Sequence, residues 1–146
     1  MRVERILSYA TAHARSSTLH GPEHWRRVAS FGAQLVRETR GADPHVVALF
    51  SVLHDTQRYT DSRDPEHGRR AAELAVGLRG TIFRLTDGQL NLLVGAIAEH
   101  ADGLVTEDPT IGCCWDADRL DLPRCGIRTN PAMLSTPAAR RRIGAA

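Results

Sequence analysis

The stretch DPHVVALFSVLHD, from Asp43 to Asp55, decides the fold of this chain. Asp43 followed by Pro44 is a strong signal for a helix start, because an aspartate can cap exposed N–H groups and proline suits the first turn. The residues that follow are apolar nearly all round, which predicts a helix at the centre of the core. This helix closes on His54 and Asp55. A charged aspartate at that position must be solvated, paired or coordinating, since burying it alone is costly.

Helical spacing of apolar residues continues on both sides of this stretch. It predicts a first helix with one apolar face, formed by Val3, Ile6, Leu7 and Ala10. Further helices are predicted from residue 22 to about 41, from 64 to about 80, from 86 to 100 and from 114 to 122, with a loop over 56–64. There is no repeat and no alternation typical of strands. We therefore expect an all-α, single-domain bundle of about six or seven helices, with its core in residues 22–122 and a C-terminal tail from 123 to 146.

Composition limits the classes of protein to consider. A chain of 146 residues can bury a real core as one domain. No apolar run approaches the roughly 20 residues of a membrane span, and the N-terminus turns polar too soon for a signal peptide. We therefore expect a cytoplasmic protein that does not bind membranes. The net charge of +2 is too small to indicate a nucleic-acid polymer as partner. The apolar helices and the tail leave room for a homodimer.

The cysteine and arginine contents of the sequence both limit the chemistry to consider. The three cysteines are odd in number and lack a CxxC spacing, so neither a disulfide framework nor a zinc knot is indicated. Cys113 and Cys114 lie in an apolar stretch and are predicted to be buried thiols. All 19 basic residues are arginines. An anion bound by this protein would therefore be held by guanidinium groups, which suit planar and phosphoryl oxygens.

Imidazole and carboxylate side chains recur along the predicted helices in an order that is compatible with a metal site. The candidates are His24, His54, Asp55, His67, His100 and Asp118. These are ligand types for a borderline-hard divalent ion, and helices could bring them together at the centre of a bundle. His67 and His100 suit a second ion about 3.5–4 Å from the first, with Asp55 bridging, or else contact with a phosphate. One or two metal ions per chain are expected, and the ligand types do not distinguish Fe, Mn, Zn, Ni, Co and Mg.

Several alternatives compete with this assignment. The plainer interpretation of the doublet is that Asp55 caps the next segment beside a surface His54. Asp118 is preferred as the late carboxylate because Cys114 and Leu122, four residues to either side, point it inward. Of its rivals, Asp116 is expected to face solvent, and Asp121 is expected to pair with an arginine or cap a helix. The remaining histidines are expected at the surface: His13, His20 and His45.

Together these motifs resemble the HD-domain superfamily of metal-dependent phosphohydrolases. The resemblance rests on His24-x-x-Arg27-Val28, on the His54-Asp55 doublet and on Ala117-Asp118-Arg119-Leu120, and it covers roughly residues 22–122. It implies an HD-type helical bundle with a primary metal held by His24, His54, Asp55 and Asp118. It also implies that His67 and His100 occupy the positions of ligands to a second ion. The blocks at residues 64–68 and 114–121 are similar to a small bacterial subgroup of HD proteins.

The resemblance leads to the expectation of an enzyme that hydrolyses a small phosphate ester or anhydride, a nucleotide being one candidate, with metal-activated water. Asp55 and Arg58 are the expected catalytic residues, and Arg58, Arg27 and Arg119 are expected to contact the phosphate. For Arg27 and Arg119, salt bridging to nearby carboxylates is an equal alternative. Many relatives have a lysine where this chain has Arg58, and arginine does not serve as a proton donor. The alternatives are a di-iron oxygenase of the HD type and a non-catalytic module that binds metal or nucleotide.

Overall fold

The computed structural model describes residues 3–14 and 19–144. This part of the chain contains seven α-helices: α1 Val3–His13, α2 Pro22–Glu38, α3 Pro44–Leu53, α4 His67–Leu78, α5 Asp87–Glu99, α6 Pro109–Arg119 and α7 Pro137–Arg142. Two short 3₁₀ turns, Leu122–Cys125 and Pro131–Met133, lie in the tail. The only β pairing within these ranges is an isolated bridge between Arg79 and Phe83. The prediction of an all-α helical bundle is confirmed.

Helix α3 is the centre of the bundle and packs against α1, α2, α5 and α6. Its start is fixed by the Asp43 carboxylate, which accepts hydrogen bonds from the backbone N–H groups of His45 and Val46. Leu49 and Phe50 are fully buried. A helix with neighbours on every side needs apolar residues on every side, which accounts for its sequence.

Two helices begin at residues other than those predicted. Helix α4 starts at His67 rather than at Asp64, because the Asp64 carboxylate accepts from the backbone N–H of Tyr59 and pairs with Arg70 instead of capping a helix. Helix α6 starts five residues before Cys114. The side chain of Asp108 caps it, and Pro109 follows in the first turn, as Asp43 and Pro44 do for α3.

The C-terminal tail packs on the bundle through α7, which contacts α2 and α6. It is held at Asp116, whose carboxylate accepts hydrogen bonds from the backbone N–H groups of Ser135 and Thr136 and from the Thr136 hydroxyl, at 2.7–2.8 Å. Asp116 is 0% exposed, so the expectation that it faces solvent is wrong. Burial raises the pKa of this carboxyl, and the three donors oppose that rise.

The inner face of α1, the cysteines and the length of the helices were also subjects of prediction. Ile6 and Ala10 are buried on the inner face of α1, while the side chain of Val3 lies outside what the structure describes. Cys113 and Cys114 are buried free thiols, as predicted. Across residues 3–14 and 19–144, no helix has both the length and the apolar character that a membrane crossing requires.

Candidate metal centre

The six predicted ligand residues share one feature, which is a position at or beside a helix end. They are His24 in the first turn of α2, His54 and Asp55 directly after α3, His67 at the start of α4, His100 directly after α5, and Asp118 in the last turn of α6. Side chains at helix ends can point along the axis into the space where helices meet. The packing of α2, α3, α5 and α6 around one another brings these ends to one place.

The structure divides the six residues into two groups that share Asp55. The first group comprises His24, His54, Asp55 and Asp118, and one potential ligand atom from each lies within 4.8 Å of the others. The Nε2 atoms of His24 and His54 are 3.1 Å apart. Both lie within 3.1–3.3 Å of Asp118 Oδ1 and 3.4 Å from Asp55 Oδ2. Three of the four residues are buried, and the Asp118 side chain is 15% exposed.

The second group comprises Asp55, His67 and His100, all buried. It uses the other oxygen of the shared carboxylate, because Asp55 Oδ1 lies 3.2 Å from the Nε2 atom of each histidine. The two Nε2 atoms are 2.9 Å apart. Asp55 therefore faces one group with each of its oxygens.

The other ring nitrogen of each histidine fixes its tautomer. The Nδ1 atoms of His54, His67 and His100 each lie at hydrogen-bond distance, 2.5–3.0 Å, from a backbone carbonyl oxygen. These oxygens belong, in the same order, to Phe50, Asp64 and Ile97. The Nδ1 atom of His24 lies 2.7 Å from a carboxylate oxygen of Asp121. Because these oxygens only accept, each Nδ1 carries the proton, and each neutral ring presents an Nε2 lone pair to the centre. Lone pairs that face each other at about 3 Å require a proton or a cation between them.

The pKa shifts in the first group also show that its carboxylates favour a positive charge beside them. Burial lowers the pKa of His54, but the charges of Asp55 and Asp118 outweigh it and raise that pKa to about 10. Burial would raise the pKa of each carboxyl, yet the charge of His54 and hydrogen bonds from histidines hold both pKa values well below their usual range. Without a cation, this centre holds a proton on His54 instead.

The donor spacing fits a metal ion. With metal–ligand bonds of about 2.0–2.1 Å, adjacent ligands are separated by about 2.9 Å in octahedral and about 3.4 Å in tetrahedral geometry. The histidine–histidine and histidine–carboxylate separations within both groups, 2.9–3.4 Å, fall within that interval. Protonated Nδ1 atoms bonded to carbonyl or carboxylate oxygens are also the usual outer partners of metal-binding histidines. Both groups could therefore hold a metal ion.

A cavity of about 240 Å³ opens over both groups, with Asp55, His100 and Asp118 in its wall. Three arginines line it as well, namely Arg58, Arg119 and Arg124. Arg58 Nε lies 3.6 Å from Asp55 Oδ1, and Arg58 Nη1 donates to two carbonyls of its own loop. Arg119 Nη1 donates to the carbonyl of Met133, at 2.6 Å. Positively charged side chains therefore line the same cavity as the carboxylates.

The two arginines for which salt bridging was an equal alternative differ in the structure. Arg27 Nε donates to both carboxylate oxygens of Asp121, at 2.8 and 3.0 Å, and its side chain is 46% exposed. That contact is the predicted pairing of Asp121 with an arginine. Within the described ranges, Arg119 makes no ion pair within 4 Å and lies in the cavity wall instead. The geometry therefore favours a salt-bridge role for Arg27 and a place at the site for Arg119.

Sequence reasoning missed two residues of this site. His20 is buried, with its Nδ1 3.2 Å from Asp55 Oδ2 and 3.1 Å from Arg124 Nη2, so its expected surface position is wrong. Arg124 donates to the carbonyls of Leu19 and Asp121 and lines the cavity. His13 is exposed as expected, and His45 is half-buried. The indole N–H of Trp25 donates to the His20 carbonyl, a contact that no local pattern of the sequence indicates.

Comparisons with protein-family models, with curated proteins and with solved structures find no match to this chain.

Proposed function

We propose that this protein is a metal-dependent phosphohydrolase that acts on a small phosphate ester or anhydride. The observation that supports this most directly is the cavity, because it combines two groups that could hold metal ions with arginine side chains that are buried or half-buried. Carboxylate and imidazole ligands beside guanidinium donors suit a phosphoryl group that develops charge on its oxygens. The order of the motifs along the chain, which resembles that of HD-domain proteins, adds support from the sequence.

In this proposal the first group holds one divalent ion, and the second group holds another or contacts the phosphoryl group. A divalent ion held there would lower the pKa of a bound water to about 7 and so make hydroxide available at neutral pH. Asp55 positions both groups through its two oxygens and accepts a hydrogen bond that orients the attacking water. Arg58 and Arg119 hold the phosphoryl oxygens and offset their charge. His24, His54, His67 and His100 keep their Nδ1 protons on fixed acceptors throughout.

The test is the replacement of the shared carboxylate. We expect Asp55→Ala to abolish both metal retention and hydrolysis, because both groups lose a ligand at once. Glu99→Ala is the control, since it removes an exposed carboxylate beside His100 and should retain both properties. Elemental analysis and a panel of phosphate esters assayed with Mn²⁺, Co²⁺ and Ni²⁺ measure the outcome. Full activity of the Asp55 variant would refute the assignment.

Two other functions would use the same residues. Measurements on the same protein samples distinguish them from hydrolysis. A di-iron oxygenase needs the second group, which the chain has. It predicts two irons per chain, visible absorbance and oxygen consumption. A non-catalytic module predicts tight ligand binding without turnover with every metal tested. Arginine donors in the cavity wall favour a phosphorylated ligand, and so they favour hydrolysis over oxygen chemistry.

A further inference from the structure

Two arginines of the cavity have buried donor atoms that lack a hydrogen-bond partner in the described part of the chain. They are Arg58 Nε and Arg119 Nη2. Arg119 is only 7% exposed. A buried donor without a partner lowers stability, and a charged donor does so more strongly. Such donors in the wall of one cavity indicate an anionic ligand that completes their bonding.

The rest of the wall offers little to a base or a sugar. Its apolar part consists of Ala101, Gly103, Leu122 and Met133. Among the described residues that line the cavity, the aromatic rings are those of His20 and His100, whose ring nitrogens lie against Asp55, and no amide or hydroxyl side chain could recognise a base edge or a ribose. Nucleobase recognition in proteins relies on such groups. The wall is therefore suited to a short apolar chain.

The C-terminal tail closes this apolar side. Leu122 and Met133 both follow α6, and Met133 is held there by the hydrogen bond from Arg119 to its carbonyl. A Cβ atom at Gly103 would lie 3.4 Å from Met133 Cε, so the two residues nearly touch. The cavity of about 240 Å³ is also smaller than the roughly 300–1,000 Å³ usual for drug-sized ligands. A nucleoside would have to extend out of it.

We infer that the site takes a phosphomonoester of a short aliphatic alcohol, not a nucleotide. Arg58 and Arg119 hold the phosphate, and Met133 and Leu122 contact the alkyl chain. This inference rests on the proposed hydrolysis. In that reaction, the water oxygen bonds to phosphorus, the bond from phosphorus to the ester oxygen breaks, and the departing alkoxide takes up the proton that the water loses. The products are inorganic phosphate and the alcohol.

The test compares monoesters that differ only in the alcohol, using the full chain loaded with Mn²⁺. We expect kcat/KM for n-butyl phosphate to exceed that for adenosine 5′-monophosphate by about tenfold or more, the factor that contact of a few methylenes with an apolar wall provides. A preference for the nucleotide, or equal rates, would overturn the inference.

A variant separates contact with the alkyl chain from general damage. Met133→Ala should raise KM for n-butyl phosphate about tenfold, with kcat little changed. Methyl phosphate is the matched control, because it is too short to reach Met133, and its kinetics should be the same in both proteins. Equal losses for both esters would contradict the role of Met133.

If no ester is hydrolysed with any metal, the proposed function fails, and calorimetry then tests the ligand class separately. Tighter binding of n-butyl phosphate than of adenosine 5′-monophosphate would support an alkyl phosphate as the ligand. Tighter or equal binding of the nucleotide, or no binding of either compound, would overturn it.

Discussion

Among the four histidines of the centre, His24 is the one whose Nδ1 proton is directed at a carboxylate and not at a backbone carbonyl. That carboxylate, Asp121, also accepts two hydrogen bonds from Arg27. An anionic partner makes an imidazole a stronger ligand and fixes its orientation. The strength of this ligand can therefore be changed by mutation, whereas the backbone partners of the other three cannot be removed.

We expect Asp121→Asn to weaken metal binding by about 10–100-fold, because His24 loses its charged partner while the ligands themselves remain. Competition with a chelator measures the affinity. Glu23→Gln is the control, since it removes an exposed charge from the same helix without touching the centre. Unchanged affinity in the Asp121 variant would show that this contact does not tune the metal site.

The raised pKa of His54 predicts how the metal-free protein responds to pH. Its pKa in the folded state, about 10, lies above the ordinary value of 6.5, so folding favours the protonated ring. The resulting stabilisation is complete below about pH 6.5 and is lost as pH rises through about 10. Thermal unfolding in the presence of a chelator should therefore give a Tm that falls across this interval.

The metal-loaded protein should behave in the opposite way. A metal ion displaces the proton, and its binding strengthens as histidines deprotonate, so its Tm should hold or rise between pH 6.5 and 9. Parallel melts with and without chelator provide the comparison. A metal-free protein whose Tm is flat across the interval would contradict the account of His54.

At the residue scale, the sequence predicts side chains that lie on regular helices better than those placed by distant segments. His24 and Asp118 are oriented by apolar neighbours at helical spacing, and the structure brings them together. His20 precedes α2, where no periodicity applies, and its position depends on Arg124, 104 residues later. The burial of Asp116 likewise depends on the return of Ser135 and Thr136. Local patterns carry no information about such contacts.

At the scale of elements, the approach of α4 to α5 depends on Gly68. A Cβ atom there would lie 2.7 Å from the Ala98 carbonyl oxygen and 2.9 Å from that of Ile97. Backbone atoms cannot move aside cheaply, so the two helices would have to separate. His67 is the neighbouring residue and His100 directly follows α5, so the separation would also widen the second group.

We expect Gly68→Ala to destabilise the protein by about 1–3 kcal/mol through overpacking and to reduce occupancy of the second group. Gly77→Ala is the matched control on the same helix. No atom lies within 4 Å of its added Cβ, so alanine should stabilise by about 0.5–1 kcal/mol. Chemical denaturation and metal analysis measure both effects. Equal behaviour of the two variants would contradict the close-packing argument.

The helix starts show why some elements were predicted more accurately than others. The capping box formed by Thr86 and Gln89 and the cap at Asp43 begin α5 and α3 at the predicted residues. Asp108 followed by Pro109 is an equally good local signal, but it precedes a weakly apolar turn, and the apolar pattern alone placed the start of α6 too late. At Asp64 the same residue pair stabilises a loop, because Arg70 competes for the carboxylate.

At the scale of the whole molecule, hydrogen bonds to the Asp116 carboxylate hold the C-terminal tail on the bundle. We expect Asp116→Ala to cost about 2–4 kcal/mol of unfolding free energy, since it leaves buried donors of Ser135 and Thr136 without an acceptor. Glu107→Ala, an exposed carboxylate beside α6, should have little effect. Denaturation curves and limited proteolysis of the tail provide the measurement. A stable variant with a protected tail would show that other contacts suffice.

The placement of the two groups has a consequence for how the chain resists unfolding. The paired histidines are 30 residues apart in the first group and 33 apart in the second, and all three cysteines are free thiols. A bound ion would therefore act as a cross-link that closes long loops, as disulfides do in other proteins. Loss of the ion would remove this link between the helix ends. The metal-free bundle should accordingly open faster than the metal-loaded one.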